Sequence, residues 1–282
     1  MKVILKALNY DITLRKGIFY SMVEFYFSGI TPSSTGGQPV QLYYMTKDNI
    51  PIRKSYITLM LNTIYFKLII VILGILVLIV NSSYVLSSAL IYKVFFFIGF
   101  IFDLLIVILG FLLIFKISLV ENIYNKLISF LRRFKIFGGK FKNTDTTEVM
   151  NRYREEIEFI KTHKKTVFLT FVLTFIQRLL LFSIIYVVYR ALGYNTYNYL
   201  NLLIIQLSVQ IAIEALPLPG GAGLSEGMLH HLFVMIFSIE MADIGMLLTR
   251  AFTFYVPLLL CGIIILMKCV WGKKMYYNVE NR

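Results

Sequence analysis

The chain has 282 residues and 32.7 kDa, with 58% of positions hydrophobic, 15% charged and a mean hydropathy of +0.75. Soluble domains run at about 45–50% apolar and 25% charged, so this composition excludes an ordinary cytosolic enzyme, a disordered chain and a disulfide framework, and places the protein in a bilayer. The net charge of +13 would suit nucleic acid, yet 12 of the 28 Lys and Arg residues fall between Lys116 and Lys165, in a gap between apolar segments where a membrane protein keeps its cytoplasmic charge, so no nucleic-acid partner is expected.

The first segment, Lys2 to Lys16, carries four basic residues and no apolar run long enough for a secretory signal, so no cleavable signal is read. Gly17 to Tyr44 is apolar but broken by T-P-S-S-T-G-G-Q-P at Thr31 to Pro39, and basic stretches, Lys2 to Lys16 and Lys47 to Lys54, flank it on both sides. Like-charged flanks belong on one face of the membrane, which predicts a re-entrant hairpin over 17–45. Ser55 to Val80 and Leu86 to Phe115 each exceed the roughly 20 apolar residues a spanning helix needs.

The loop 116–165 holds 12 basic against six acidic residues and is assigned to the cytoplasm. Within it, Ile117 to Phe141 interleaves Leu127, Ile128, Phe130, Leu131, Phe134 and Phe137 with Lys126, Arg132, Arg133, Lys135 and Lys140, the pattern of a basic helix lying on anionic lipid. Asp145 to Lys165 reads as a polar cytoplasmic helix.

Thr166 to Tyr189 is a third span and Ile244 to Val270 a fourth, the latter followed by a basic, cytoplasmic C-terminal tail. Between them, 198–239 must therefore start and end outside. Its arms, Tyr199 to Leu216 and Leu224 to Phe237, are short for full crossings and are separated by P-L-P-G-G-A-G, Pro217 to Gly223, which predicts a second hairpin. The expected fold is thus an all-α polytopic integral membrane domain over 1–282, with about four full transmembrane helices and two re-entrant hairpins entering from opposite faces. Paired broken segments in corresponding halves point to a binding site near the midplane.

Eight ionisable residues lie in or beside apolar segments: Glu24, Lys67, Lys93, Asp103, Arg178, Glu214, Glu226 and Arg250. A charge at the bilayer centre costs about 2.5–3.5 kcal/mol, so these should pair inside the protein. Lys67 and Lys93 can instead snorkel, whereas Asp103 in mid-helix cannot. Glu214, Glu226 and Arg250 carry the most functional weight, because two flank the second break and the third sits on the next helix.

At that break the glycines permit a tight turn, and Ser225 or Gly223 can cap the following helix, whose free amides amount to about half a positive charge. Pro39 suits the first turn of a helix starting after Gly36-Gly37. Two such N-termini converging would favour an anion, with phosphate the natural candidate, and Arg250 and Arg178 can add charged donors. Either glycine pair alone would equally serve close helix packing.

Other motifs fail. Gly220 to Gly223 lacks the G-K-[ST] ending of a P-loop, His230 and His231 occupy different helix faces, and no general base accompanies Ser225. Cys261 and Cys269 read as packing residues. No metal, cofactor or catalytic residue is expected.

S-G-I-T-P-S-S-T-G-G-Q-P-V-Q-L-Y-Y-M (Ser28 to Met45), E-A-L-P-L-P-G-G-A-G-L-S-E-G (Glu214 to Gly227) and R-A-F-T-F-Y-V-P-L-L-L-C-G (Arg250 to Gly262) together resemble the transmembrane, flippase-like region of the lysylphosphatidylglycerol synthase family. The resemblance implies a protein that binds an anionic phospholipid or polyprenyl-phosphate lipid and moves it across the cell membrane, with the two signature loops as the site. The residues matched to that role are Thr31, Pro32, Gly36, Gly37, Gln38, Pro217, Pro219, Gly220, Gly221, Gly223, Glu226 and Arg250, with Arg178 and Glu214 as charge partners. In the synthases proper a separate soluble domain transfers lysine from lysyl-tRNA to phosphatidylglycerol. A dozen residues follow Val270 here, so the alternative function, the membrane portion of a phosphatidylglycerol lysyltransferase, implies a separate synthase or transferase subunit. Family members usually carry two further helices ahead of the first signature, where this chain has 27 residues, which is read as either a shortened form or a misassigned start. A homo-oligomer is the remaining partner considered.

Overall fold

The computed structural model describes residues 1–81, 90–133, 151, 154–155, 157–158, 161–214 and 218–280. Its helices in chain order are α1 (Lys2–Ala7), α2 (Leu14–Ile30), α3 (Gly37–Lys47), α4 (Ile52–Asn81), α5 (Leu90–Phe115), α6 (Ile117–Arg133), α7 (Lys164–Phe182), α8 (Ile184–Ala191), α9 (Tyr199–Glu214), α10 (Leu224–Phe233), α11 (Ile239–Arg250) and α12 (Val256–Glu280). Short 3₁₀ turns, Pro32–Ser34 and Pro219–Gly221, lie in the two breaks, and a π-helical turn, Ala251–Tyr255, joins α11 to α12. Among the described residues, four stretches are long and apolar enough to cross a bilayer: Ile52–Val80, Leu90–Phe115, Lys164–Ala191 and Ile239–Val270. These are the four expected spans.

Their outer faces carry Leu105 and Leu109 on α5, Phe168 and Leu180 on α7, and Leu259 and Leu266 on α12, all exposed. Apolar area on that scale belongs against acyl chains. The inner faces close around α9, which packs against α4, α5, α7, α8 and α10. Leu202, Ile205, Leu207 and Ile211 of α9 are completely buried. α9 is covered on nearly every side and buries its polar Gln206 and Ser208 along with its apolar residues, so it carries no outward polar stripe. Gly99 makes this cover tight, because a Cβ there would fall 1.8 Å from the Ile211 carbonyl oxygen. Without water to drive association, such close backbone contact supplies the packing energy.

Lys67 and Asp103 join α4 to α5. The Lys67 ammonium donates to Asp103 Oδ1 at 2.7 Å and is buried, so Lys67 turns inward and does not snorkel. Asp103 is fully buried, and pairing with a cation offsets its desolvation. Arg178 of α7 lies over the Phe66 ring at 3.8 Å, the same ring that Lys67 approaches at 5.4 Å.

The α2–α3 pair folds back on itself. Gly37 abuts Glu24 and Ser28, Gln41 donates to the Tyr20 carbonyl at 3.1 Å, and the Tyr44 ring meets Phe19 at 5.2 Å, a sequence of contacts that makes the two helices antiparallel. Asp48, just beyond α3, accepts from Tyr20 at 2.6 Å and pairs with Lys16 at 3.4 Å, which closes the base of the pair. α6 begins the predicted amphipathic stretch, with Leu119 and Ile123 exposed, Ile128 buried, and Glu121 accepting from Arg154 Nε at 2.7 Å. Phe134, Lys135, Phe137 and Lys140 lie outside the described residues, as does most of the polar helix expected after them. Cys261 is buried as expected, but Cys269 is exposed, its Sγ 3.3 Å from the Tyr44 hydroxyl.

Candidate functional site

The first break is held by hydroxyl and amide groups. Thr31 ends α2 in extended conformation, and its Oγ1 both donates to the Phe27 carbonyl at 2.6 Å and accepts from the Gly36 N–H at 2.9 Å. Pro32 opens the 3₁₀ turn, and Ser33 and Ser34 take left-handed conformations with φ 51° and 55°. Gly36 itself is right-handed at φ −80° and serves as N-cap of α3. Gly37 is required by space. A Cβ there would lie 2.0 Å from Ser28 Oγ and 2.6 Å from the Glu24 carbonyl oxygen, so only glycine lets α3 start flush against α2. Pro39 sits in the first turn of α3, where a missing N–H is harmless. Gln38 turns away from the break and donates to Thr63 Oγ1 on α4.

The second break is held by charge. Gly220, Gly221 and Gly223 are left-handed, with φ 59°, 68° and 85°. Gly220 is doubly constrained, since a Cβ would also meet the Phe254 ring at 2.0 Å. Gly223 is the N-cap of α10 and Glu226 its third residue, whose carboxylate reaches back to accept from the Gly223 N–H at 2.7 Å, the acidic half of a capping box. Ser225 donates to the same Oε2 at 2.9 Å. The other oxygen, Oε1, accepts from Arg250 Nε and from the Tyr255 hydroxyl, both at 2.7 Å. Arg250 is 6% exposed, and its guanidinium also donates to the Gly220 carbonyl at 3.0 Å and lies 4.6 Å from the Phe254 ring centre. The carboxylate thus has four donors, two from α10's own start and two from the π turn and the helix before it. Residues five apart on an α-helix point about 140° apart, and the wider π turn is what brings Arg250 and Tyr255 onto one carboxylate oxygen.

The two breaks touch each other, and α2 also packs on the second. Phe254 stands at the joint, 6.3 Å from the Phe25 ring and close to Gly29 and Gly220. At this joint the structure collects Thr31, Pro32, Gly36 and Gly37 from one half and Pro219, Gly220, Gly221, Gly223, Glu226 and Arg250 from the other. Gln38 borders it. Arg178 lies elsewhere, on α7 over Phe66, and α7 packs against α1, α4, α8 and α9. Pro217 and the side chain of Glu214 lie outside the described residues. Sequence reasoning missed Tyr255 and Thr63. The R-A-F-T-F-Y string contained the first, but helical spacing alone sets it on a different face from Arg250.

Chemically the joint offers a buried guanidinium, a helix N-terminus, a phenol and a hydroxyl, all directed at one anion position that Glu226 fills. The Ser225 hydroxyl donates to the Glu226 carboxylate, whose other oxygen is taken by Arg250 and Tyr255. His230 pairs instead with Asp243 at 2.7 Å, while His231 faces Tyr92 at 5.1 Å, on different sides of α10 as expected. α10 is further tied to α5 by the Tyr92 hydroxyl, which donates to the Gly227 carbonyl at 3.2 Å.

No curated protein and no solved structure matches the chain. A family profile does match, described as the lysylphosphatidylglycerol synthase TM region, over residues 1–261, a range that includes both breaks, Glu226, Arg250, three of the spans in full and the fourth as far as Cys261. With its membrane-spanning helices and the two broken segments in contact, the chain belongs to the lysylphosphatidylglycerol synthase transmembrane-region family.

Proposed function

We propose that this membrane protein binds the phosphate of an anionic phospholipid or polyprenyl-phosphate lipid at the joint of the two breaks and carries the headgroup across the cell membrane. The basic 116–165 loop and the C-terminus lie on the cytoplasmic side in this reading, and the two hairpins enter from opposite faces. The observation that supports it most is the built anion position: Gly223 N–H, Ser225, Arg250 and Tyr255 converge on the partly buried Glu226 carboxylate. A phosphate has the same charge sign and likewise presents a pair of anionic acceptor oxygens. Glu226 acts as the resident anion. An arriving headgroup displaces it and inherits its donors, while the acyl chains stay in lipid.

Native mass spectrometry of protein purified in mild detergent tests this through three variants. Gly221→Leu strains a left-handed residue and pushes on Ile213, 3.0 Å from its Cβ position, and should abolish retention of anionic lipid. Arg250→Ala should do the same. Glu226→Gln should raise retention, because it removes the competing charge and leaves the donors. Equal retention of all lipids by wild type and variants would overturn the site.

A further inference from the structure

A second feature, on the other side of α3, has no part in the anion position. α3, α4 and α5 enclose a groove of about 570 Å³, within the range of small-molecule sites. Its floor is the close approach of α4 and α5 at Ile64 and Gly110, where a Cβ would lie 2.7 Å from Ile64. One end is polar: Ser34 and Thr35 from the first break, and the Gln38–Thr63 pair. The other end is marked by Tyr56 on α4 and Leu113 on α5. One helical turn beyond each of these, on the same faces, stand exposed Arg53 and Lys116.

The dimensions decide what this groove connects. Arg53 and Thr63 are ten residues apart on one helix, about 15 Å, which is half of a hydrocarbon core about 30 Å thick. The groove therefore runs from a basic mouth at one membrane surface to hydroxyl and amide groups at midplane depth, beside the first break. That polarity is the reverse of what acyl chains require, since their ends would meet the polar groups. A headgroup fits it, with the chains remaining in the bilayer outside.

We infer that the α3–α4–α5 groove is the route by which an anionic phospholipid headgroup from the leaflet on the Arg53 and Lys116 side reaches the breaks. This rests on the proposed function and adds the leaflet, the mouth and the path. Each basic residue near a membrane surface contributes about fivefold in affinity for an anionic headgroup.

The test reconstitutes the full chain in phosphatidylcholine vesicles doped with phosphatidylglycerol carrying a photoactivatable diazirine on its headgroup, or with phosphatidylcholine carrying one on its own headgroup, and maps adducts by peptide mass spectrometry. Labelled phosphatidylglycerol should mark the Gln38 and Thr63 peptides several-fold more than labelled phosphatidylcholine does. Arg53→Glu/Lys116→Glu, at two exposed positions that folding tolerates, should cut that labelling by about tenfold or more. Labelling equal for both lipids, or unchanged by the charge reversals, would mean that ordinary acyl chains fill the groove and would overturn the inference. Labelling of the breaks without labelling of the groove would overturn it too. Gly221→Leu separates the two readings. If wild type retains no lipid at the breaks, the proposed function fails, and groove labelling in Gly221→Leu still decides the route.

Discussion

The two breaks look alike in sequence and are built differently. Each has a proline, a 3₁₀ turn, a pair of glycines and a following helix, yet the first is closed by neutral hydrogen bonds from Thr31 and the second by an ion pair between Glu226 and Arg250. The glycines differ as well. Gly37 is there for space against α2, whereas Gly220, Gly221 and Gly223 are there for left-handed backbone. A neutral clasp has one stable arrangement. In the proposed function the charged clasp exchanges its anion, which would make the first break the fixed wall of the site and the second its responsive one.

The largest expected effect comes from breaking the charged clasp. Arg250→Ala leaves the Glu226 carboxylate, whose side chain is 19% exposed, without its cation, and should cost about 3 kcal/mol of stability, the lower end of the range for half of a buried pair because three other donors remain. Adding Glu226→Gln should restore more than half of the loss. Thermal unfolding in detergent of the two single variants and the double would measure the coupling, and strict additivity would show that the pair is not the clasp.

Gly37→Ala probes the fixed wall and should cost about 1–3 kcal/mol through overpacking. Of the two obstacles to its Cβ, Ser28 Oγ can rotate but the Glu24 carbonyl is backbone. Ser28→Ala should therefore fail to rescue Gly37→Ala in the same unfolding measurement. Full rescue would mean that the close approach of α2 and α3 is not what fixes the first break.

Much of this was legible in sequence, for physical reasons that also mark where legibility ends. The spans follow from apolar length, and the breaks from proline and glycine in runs too short to cross. The burial of Asp103 demanded a partner, but which cation answered depended on the packing of α4 on α5, and Lys67, read as free to snorkel, turned inward. The Gly36-Gly37 pair pointed to a helix start, which α3 makes there, but nothing in the string marked Ser33 and Ser34 as the residues that turn left-handed before it. Tyr255 was hidden because its role depends on a π turn, a change of helical period that no local composition announces. The contact between the breaks is a long-range event and could be expected only from their symmetry.

The finest test compares one hydroxyl from each clasp. Thr31→Val removes the acceptor of the Gly36 N–H and the donor to Phe27, and Tyr255→Phe removes one of four donors to Glu226. Each should cost about 1 kcal/mol, since each loses ordinary hydrogen bonds and Tyr255 is partly exposed. Similar stability losses then allow lipid retention to be compared fairly. Tyr255→Phe loosens the resident anion and lowers the cost of displacing it, but it also removes a donor that the phosphate would inherit, so these effects oppose and retention should shift only slightly. Thr31→Val touches neither the anion nor its donors and should leave the ratio of anionic to neutral lipid unchanged. Should Thr31→Val shift that ratio as far as Glu226→Gln does, the division into a fixed and a responsive wall is wrong, and the neutral clasp opens with the charged one.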